Sequence, residues 1–519
     1  MAKMPIRKFI IICGTIFGVS LPVLPLLGLI SAPAALGKSG QDFGLAARGL
    51  NESFWLTLAL GFLVSLFSIT LGTFLAYTER RFRYAGRRIF ATACLLPLAV
   101  PSYVLAGTLR EVLGPSGLGL KTFSGFWAAS FTLTLTTVPL VQLLVSAALN
   151  RMPIQEEEAA RALGANWWRT FRVATFPRLR PALTYSLLLT QLYVISDFGA
   201  VAMLNTPTLT WRLYLAVNTQ QTLRAIILGT ALFVVSIPLF FVANWIRGKD
   251  RTTETVANAR QISHRELPLI AKVIMYSAQS VIVSFGAILP AMELVKWVQS
   301  GISESSLYTP LQDTTMIAIA GAIFTVFCAF FPAWYIARTK SALAPWLERI
   351  VYLSSALPGV LLAFGLLLLS LSLSRLTKAS SDTYALLTGS GILLMFGYAT
   401  RFVAEAYSSI KTNILRLSTR QEEVARALRA NWFKITTKIT LPALLPGLST
   451  ALIISVLAIM KELPVTLMLS GTMGLHTLSF RMYDRYQDAF LPDAGWAGLT
   501  LVMLALVTVL ASLRGRNYA

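Results

Sequence analysis

The feature that most constrains this chain is a series of apolar stretches, each close to the roughly 20 residues that an α-helix needs to cross a bilayer. Twelve such stretches lie near residues 8–30, 53–77, 90–109, 125–150, 181–204, 225–246, 268–290, 314–336, 348–373, 384–409, 443–469 and 494–513. The first has a basic flank like that of a signal peptide, but its apolar run continues to Ile30. We therefore predict an uncleaved spanning helix there and a polytopic membrane protein overall.

The charged residues indicate the orientation of these spans. Only 13% of the 519 residues are charged, against about a quarter in ordinary soluble proteins. Yet 45 Lys and Arg oppose 23 Asp and Glu. With both termini in the cytoplasm, 31 of the 45 cations fall on that side and 11 on the other. The positive-inside rule then predicts a multi-pass membrane protein with both termini in the cytoplasm. Because the charge is spread over many loops, we expect no nucleic-acid partner.

Cysteine and histidine are too few and too scattered for the usual metal sites. Cys13, Cys94 and Cys328 lie in separate apolar runs, and the two histidines are His264 and His476. This pattern has neither metal-ligand spacing nor a disulfide framework, so we predict no stable metal site in the chain.

An internal repeat divides the chain into two halves. Residues 158–168 and 423–433 are identical at eight of eleven positions, at an offset of 265. Pro177 and Pro442 match at the same offset. Six predicted spans separate the two copies, so both face the same side, which is typical of a parallel rather than an inverted repeat.

Both copies of the repeated segment are amphipathic and too polar to span. The first begins with three glutamates, which suit the positive end of a helix dipole, and continues to Trp167 and Trp168. A helix lying on the lipid headgroups has such a composition. The acidic start and the duplication instead favour docking to a protein partner that is itself two-fold.

The repeated segment resembles the coupling motif of binding-protein-dependent ABC importer permeases. Glu158, Ala159, Ala160 and Gly164 fit that motif in the first copy. Glu423 and Ala425 fit it in the second, where Arg429 replaces the glycine and leaves open whether this copy bends in the same way. Segments 95–106, 114–117, 196–204 and 461–469 extend the resemblance to fused ferric-iron permeases over essentially the whole chain.

This resemblance implies an all-α integral membrane protein of the type I ABC importer class, with about 12 transmembrane helices in two parallel six-helix repeats. The first repeat would cover 1–246, with its coupling helix at about 155–172. A cytoplasmic linker would follow at 247–266, and the second repeat would cover 267–519, with its coupling helix at about 420–437.

The resemblance also implies a transport permease rather than an enzyme. Its substrate would be ferric iron, with thiamine or a phosphonate as the alternative. Its partners would be two copies of an ABC ATPase, which bind ATP and magnesium, an extracytoplasmic solute-binding protein, and membrane lipid. We expect no cofactor in this chain: residues 114–122 approximate a P-loop but carry an extra residue before Lys121 and face away from the cytoplasm.

Two carboxylates inside predicted spans are candidates for the substrate path. Asp197 and Glu462 are related by the repeat offset, and intramembrane carboxylates are costly and often functional. Together with Tyr103 they offer oxygen ligands of the kind that a hard cation such as ferric ion prefers. The alternative is structural, with each carboxylate bonded to nearby backbone. A secondary transporter that uses Asp197 and Glu462 as proton sites, and an intramembrane enzyme, are the rival functions.

Overall fold

The computed structural model describes residues 6–31, 43–115, 117, 119, 122–152, 155–249, 265–301, 308–339, 341–376, 391–417, 419–470 and 475–516. The chain is helical through most of these ranges, as the sequence predicts. Up to residue 249 the helices are α1 (Ile6–Ser20), α2 (Leu24–Ile30), α3 (Phe43–Ala46), α4 (Leu50–Arg81), α5 (Arg87–Ala93), α6 (Ser102–Leu113), α7 (Gly125–Arg151), α8 (Gln155–Ala162), α9 (Trp167–Thr170), α10 (Phe176–Ser196), α11 (Gly199–Met203), α12 (Leu209–Asn218) and α13 (Thr222–Lys249).

The helices of the second half follow a closely similar plan. They are α14 (Leu269–Val283), α15 (Leu289–Gln299), α16 (Tyr308–Arg338), α17 (Ala344–Leu353), α18 (Gly359–Leu376), α19 (Ile392–Arg416), α20 (Thr419–Ala427), α21 (Trp432–Ile435), α22 (Leu441–Lys461), α23 (Pro464–Leu469), α24 (Leu478–Gln487) and α25 (Leu491–Arg516). Short 3₁₀ turns cover Leu21–Val23 and Leu96–Ala99, and π-helical turns cover Phe171–Thr175, Ser284–Ile288 and Thr436–Thr440.

The helices confirm the all-α membrane fold. Among the described residues, eight helices are long and apolar enough to cross a bilayer. They lie at Phe9–Ile30, Phe43–Arg81, Gly125–Arg151, Thr222–Ile246, Leu269–Gln299, Tyr308–Arg338, Gly359–Leu376 and Thr437–Lys461. A ninth is a bent pair, Arg87–Ala99 and Ser102–Leu113, with an angle of 101° between its parts. Pro97 and Pro101 at the break explain the bend, because proline cannot donate the helical hydrogen bond.

The three other predicted spans are also helical in the described residues, but they are not among these nine. The span predicted at 181–204 breaks after Ser196, at the end of α10. The one at 384–409 is described from Gly391 and carries Arg401 and Glu405, and the last lies within α25, which runs from Leu491 to Arg516. The predicted linker lies mostly outside the described residues, apart from the end of α13 and a two-residue strand, β2 (Arg265–Glu266).

The helices gather into two compact units. One comprises Met1–Ala47, Leu213–Phe233 and Ser305–Arg481. In this unit α1 packs on α16 and α2 packs on α18, so the first span of the chain joins helices of the second half. Its core includes Leu21, Cys328 and Tyr407.

The other unit comprises Arg48–Arg212, Val234–Glu304 and Met482–Ala519. Here α4 packs on α7 and α10, and α15 packs on α6 and α25. The parallel pairing of β1 (Phe82–Arg83) with β2, Phe82 opposite Arg265, also lies in this unit. The two units do not coincide with the two predicted repeats, because each unit contains segments from both halves of the chain. The repeat boundaries therefore remain a prediction.

Glycines permit the closest helix contact in the first of these units. A Cβ atom at Gly28 of α2 would collide with the carbonyl oxygen of Gly365 on α18, and a Cβ atom at Gly365 would collide with the carbonyl oxygen of Pro25. Such small-residue contacts let two helix backbones approach in lipid, where the hydrophobic effect does not drive helices together.

Candidate functional site

The first repeated segment forms a helix, a sharp turn and a second short helix. Three glutamates, residues 156–158, occupy the first turn of α8 and complement its dipole. The helix ends at a left-handed Gly164, φ +84°, and the amide of Ala165 donates to the carbonyl of Ala160 at 3.1 Å. Asn166 then caps α9, its Oδ1 accepting from the amide of Arg169 at 2.8 Å. Gly164 therefore forms the bend between α8 and α9, as expected for the glycine of the motif.

A buried ion pair holds this segment to the end of α4. The Glu157 carboxylate is 1% exposed and lies 3.0 Å from Arg81 Nε, whose side chain is 2% exposed. Its other oxygen accepts from Arg161 Nη2 at 3.0 Å, and Thr175 Oγ1 donates to Oε1 at 3.1 Å. Arg81 also donates to the carbonyl of Leu149 at 3.4 Å. Glu157 therefore fixes α8 to α4 and to the π-helical turn Phe171–Thr175, and Arg81 extends the contact to α7.

Sequence reasoning missed this anchor, although the repeat contains a signal for it. Arg338 and Glu422 stand at the positions equivalent to Arg81 and Glu157, at offsets of 257 and 265, and Thr440 matches Thr175. The same three residue types are thus present twice at matched positions. In the sequence, Glu157 cannot be distinguished from the glutamates on either side of it, because nothing there indicates that its side chain is buried.

The predicted coupling residues of the first copy lie on the outside of the segment. Glu158, Ala159 and Gly164 are exposed, and Ala160 is half-buried. Beside them Leu163 is 89% exposed, and Trp168 and Val173 are also exposed. Three apolar side chains, Leu163, Trp168 and Val173, are thus exposed on the same repeated segment as the predicted coupling residues.

The second repeated segment has the same course. Helix α20 ends at Ala427, Arg429 adopts a left-handed φ of +58°, and the amide of Ala430 donates to the carbonyl of Ala425 at 3.0 Å. Asn431 caps the next short helix by accepting from the amide of Lys434 at 2.9 Å. Replacing the motif glycine by Arg429 therefore preserves the bend, at the cost of a left-handed conformation that disfavours a side chain.

The outer face of the second segment includes an apolar groove. Glu423 and Arg429 are exposed, Ala425 is buried, and Leu428 is 78% exposed. A cavity of about 610 Å³ lies between α20 and the start of α22, lined by Arg420, Gln421, Val424, Ala425, Leu428, Lys438, Ile439, Pro442 and Ala443. This segment therefore presents both a protruding leucine and a recess.

Asp197 lies where helix α10 ends. Its backbone is extended, φ −69° and ψ 126°, and its Oδ1 accepts from the amide of Ala200 at 2.9 Å. Its carbonyl accepts from Thr210 Oγ1 at 3.1 Å. Tyr103 packs close by, since a Cβ atom at Gly199 would lie 2.8 Å from that of Tyr103. The structure thus brings Tyr103 and Asp197 into one neighbourhood.

Glu462 occupies the same position in the other compact unit. Helix α22 ends there with φ −72° and ψ 121°, and Oε1 accepts from the amide of Val465 at 3.4 Å. Its carbonyl accepts from Thr466 Oγ1 at 2.8 Å and from Ser479 Oγ at 3.0 Å. Each carboxylate therefore caps the short helix that follows it, α11 or α23, in addition to any role in transport.

A duplicated hydroxyl brace supports each broken helix, and sequence reasoning also missed it. In one unit the amide of Leu209 donates to Thr57 Oγ1 at 3.0 Å, and in the other the amide of Leu478 donates to Thr314 Oγ1 at 2.8 Å. The recurring threonines at offset 257 are the sequence signal for this brace.

Within the described ranges, no three His, Cys, Asp or Glu side chains converge as a metal site.

Comparison with known proteins matches two stretches of the chain to one family. Residues 68–249 and 332–516 each match the binding-protein-dependent transport system inner membrane component. The chain is 28% identical to the Fe(3+)-transport system permease protein FbpB 2 of Haemophilus influenzae, over 95% of both chains. It is 23% identical to the ferric transport system permease protein FbpB of Actinobacillus pleuropneumoniae, over 90% of this chain and 71% of that one. It is also 27% identical to the sulfate transport system permease protein CysW of Escherichia coli, over 50% of this chain and 94% of that one.

Proposed function

Because the chain belongs to the binding-protein-dependent transport system inner membrane components, we propose that it is the permease of an importer that takes up ferric iron. Its apolar helices and its family make it a multi-pass inner membrane protein. The observation that carries ferric iron is the similarity to a Fe(3+) permease over 95% of both chains, whereas the sulfate permease matches 50% of this chain.

Two copies of an ABC ATPase would bind the two repeated segments. Each segment exposes a leucine, Leu163 or Leu428, beside a left-handed turn, and each presents the glutamate of the coupling motif, Glu158 or Glu423. Side chains that become fully buried in a well-packed pocket of the partner contribute most to such interfaces. ATP and magnesium would bind to the ATPase subunits, and this chain would bind no cofactor.

The distribution of cations supports an orientation with both termini in the cytoplasm. A solute-binding protein would then deliver the substrate on the outer side, and closure of the ATPase pair would move the two repeated segments. Such rigid-body movements alternate the access of a substrate to the two sides of a membrane.

Tyr103, Asp197 and Glu462 would provide transient oxygen ligands on the path. Ferric ion is a hard cation that prefers such ligands. The position of both carboxylates supports this role, because they lie at helix breaks within predicted spans. An ionisable group inside the membrane costs free energy and usually has a function there.

Uptake in reconstituted vesicles tests the proposal. The permease, its ATPase and its binding protein are placed in proteoliposomes, and accumulation of radioactive ferric iron is followed with ATP and with a non-hydrolysable analogue. Excess sulfate, thiamine or phosphonate serves as competitor. We expect ATP-dependent iron uptake that none of the three competitors reduces.

Two results would contradict this function. Inhibition by sulfate, thiamine or a phosphonate would assign the permease to that substrate instead of iron. Uptake that follows an imposed ion gradient without ATP would assign the chain to the secondary transporters.

A further inference from the structure

A polar cavity of about 570 Å³ lies between the end of α4 and helix α5. It is lined by Glu79, Arg80, Arg87, Arg88, Ala91 and Thr92. Three guanidinium groups and one carboxylate therefore face the same space. The transport function proposed above uses none of these residues.

One carboxylate, that of Glu79, lies among the described residues that line the cavity. Glu79 Oε2 accepts a hydrogen bond from Gln142 Nε2 at 3.1 Å, and Glu79 Oε1 lies 4.0 Å from Arg80 Nη2. The Nε atom of Arg80 is buried and makes no hydrogen bond. Among the described residues that line the cavity, three guanidinium groups therefore face one carboxylate, and the planar fork of arginine matches phosphate oxygens.

Contacts with α14 hold the turn between Arg80 and Arg87 in place. Tyr276 Oη donates to the carbonyl of Ala85 at 2.9 Å, and Gln279 Nε2 donates to Tyr84 Oη at 3.2 Å. Burial raises the pKa of Tyr84 to about 12, so this tyrosine stays neutral at physiological pH. Strands β1 and β2 pair beside it. A site fixed in this way loses little entropy when a ligand binds.

The surroundings of the cavity favour a lipid over a free anion. Arg80 belongs to a helix that can span the membrane, and Arg87 and Arg88 begin the bent pair that follows it. Ile89, next to Arg88, is 74% exposed, and Leu269 and Ile270 at the start of α14 are exposed as well. These apolar side chains suit contact with acyl chains at the depth where a headgroup would meet the arginines.

We propose that this cavity binds the phosphate of an anionic phospholipid headgroup, such as that of phosphatidylglycerol. Basic pockets between transmembrane helices are suited to such headgroups. Arg80, which lines the cavity, is followed in the chain by Arg81, which anchors the first repeated segment through Glu157. The bound lipid would thus sit beside the anchor of a coupling segment. The proposal needs only that the chain lies in a membrane, so it stands apart from the choice of substrate.

Lipid retention by the purified full-length chain tests this proposal. Native mass spectrometry in detergent with added phosphatidylglycerol or phosphatidylcholine counts bound lipids for the wild type, for the Arg87→Gln/Arg88→Gln variant and for a matched control. The control, Arg83→Gln/Arg151→Gln, removes the same charge from exposed arginines that do not line the cavity. Inorganic phosphate alone, followed by thermal shift, forms a separate arm.

We expect the wild type to retain phosphatidylglycerol in preference to phosphatidylcholine. The cavity variant should bind phosphatidylglycerol about 30-fold more weakly, because each of the two cations that it loses typically contributes about 1 kcal/mol. The control should bind it as the wild type does. Equal retention of the two lipids by the wild type, or equal loss in both variants, would overturn the proposal. Stabilisation by inorganic phosphate that matches that by lipid, and that disappears in the cavity variant, would assign the site to free phosphate instead.

Discussion

Arg81 and Glu157 form a buried ion pair with 3.0 Å between Nε and Oε1, although 76 positions separate them in the chain. The pair joins the end of a membrane helix to the segment that resembles the coupling motif. The segment is therefore tied directly to α4 by side chains that are both buried.

Removing one partner of this pair should be costly. The substitution Arg81→Met leaves Arg161 as the one cation paired with the buried Glu157 carboxylate, and it should cost less than the about 3–5 kcal/mol of a buried charge left with no partner. We expect a lower unfolding temperature and a loss of ATP-driven uptake, measured by thermal denaturation in detergent and in proteoliposomes. The double variant Arg81→Met/Glu157→Gln should recover part of the stability.

The neighbouring pair of Glu156 and Arg178 provides the matched control. Both of its side chains are nearly half exposed, and exposed pairs contribute about 0–1 kcal/mol. Arg178→Met should therefore leave stability close to that of the wild type. Equal losses from Arg81→Met and Arg178→Met would show that burial does not distinguish the two pairs.

The left-handed residue of the second segment can be tested by exchange for glycine. Arg429→Gly removes a side chain from a φ of +58° and should stabilise the segment by about 1 kcal/mol, since the left-handed region costs other residues roughly that much. Gly164→Ala should destabilise the first segment to a similar degree. Hydrogen exchange of α20 and α8 measures both changes.

Ala427→Gly distinguishes this effect from a general response to glycine. Ala427 is the last residue of α20, and glycine within a helix costs about 1 kcal/mol relative to alanine. The two glycine variants of the second segment should therefore change its protection in opposite directions. Destabilisation by both would refute strain at Arg429.

The exposed leucines should carry the binding of the ATPase subunits. We expect Leu163→Glu to weaken this binding about 30-fold, as loss of an interface hot spot does, without changing the stability of the chain. Leu163→Met keeps an apolar side chain and serves as the control. Co-purification of the ATPase and its stimulated hydrolysis measure the effect, and undiminished binding to Leu163→Glu would exclude this surface.

Deleting 156–172 is a coarser version of the same test. It should abolish coupling to ATP hydrolysis without preventing membrane insertion, and undiminished transport would refute the role of the segment. The deletion also removes the Glu157 anchor, so the point substitution separates docking from anchoring more cleanly.

The charge of the two helix-break carboxylates can be separated from their capping role. Asp197→Asn and Glu462→Gln keep an oxygen that accepts from the amides of Ala200 and Val465, so the double variant should stay folded. We expect it to lose iron uptake because the intramembrane charges are gone. Uptake unchanged at normal protein levels would exclude the path.

Asp197→Ala supplies the structural control for that experiment. It removes the acceptor as well as the charge and should cost about 1 kcal/mol of stability. A double variant that loses stability as strongly as Asp197→Ala would indicate that the carboxylates act only as caps.

The sequence predicted the membrane helices well because apolar length is a local property. It did not predict the breaks at Asp197 and Glu462, since an average over 20 residues hides a single residue with extended backbone. Nor did it predict the burial of Arg81, which counts among the cytoplasmic cations by the positive-inside rule. The repeat contains further signals of these contacts, because Thr57 and Thr314, like Arg81 and Arg338, stand at one constant offset.

The composition of the compact units has a consequence for how the protein can be made. The unit that contains α16 to α23 also takes up the first span of the chain, and the other unit takes up α14 and the last helix. A chain cut within 247–266 would yield no piece that holds either unit complete. Two such fragments should therefore accumulate only when they are produced together in one cell. During synthesis, the first span must also wait in the bilayer until residue 338 or beyond has been inserted before its packing partner exists.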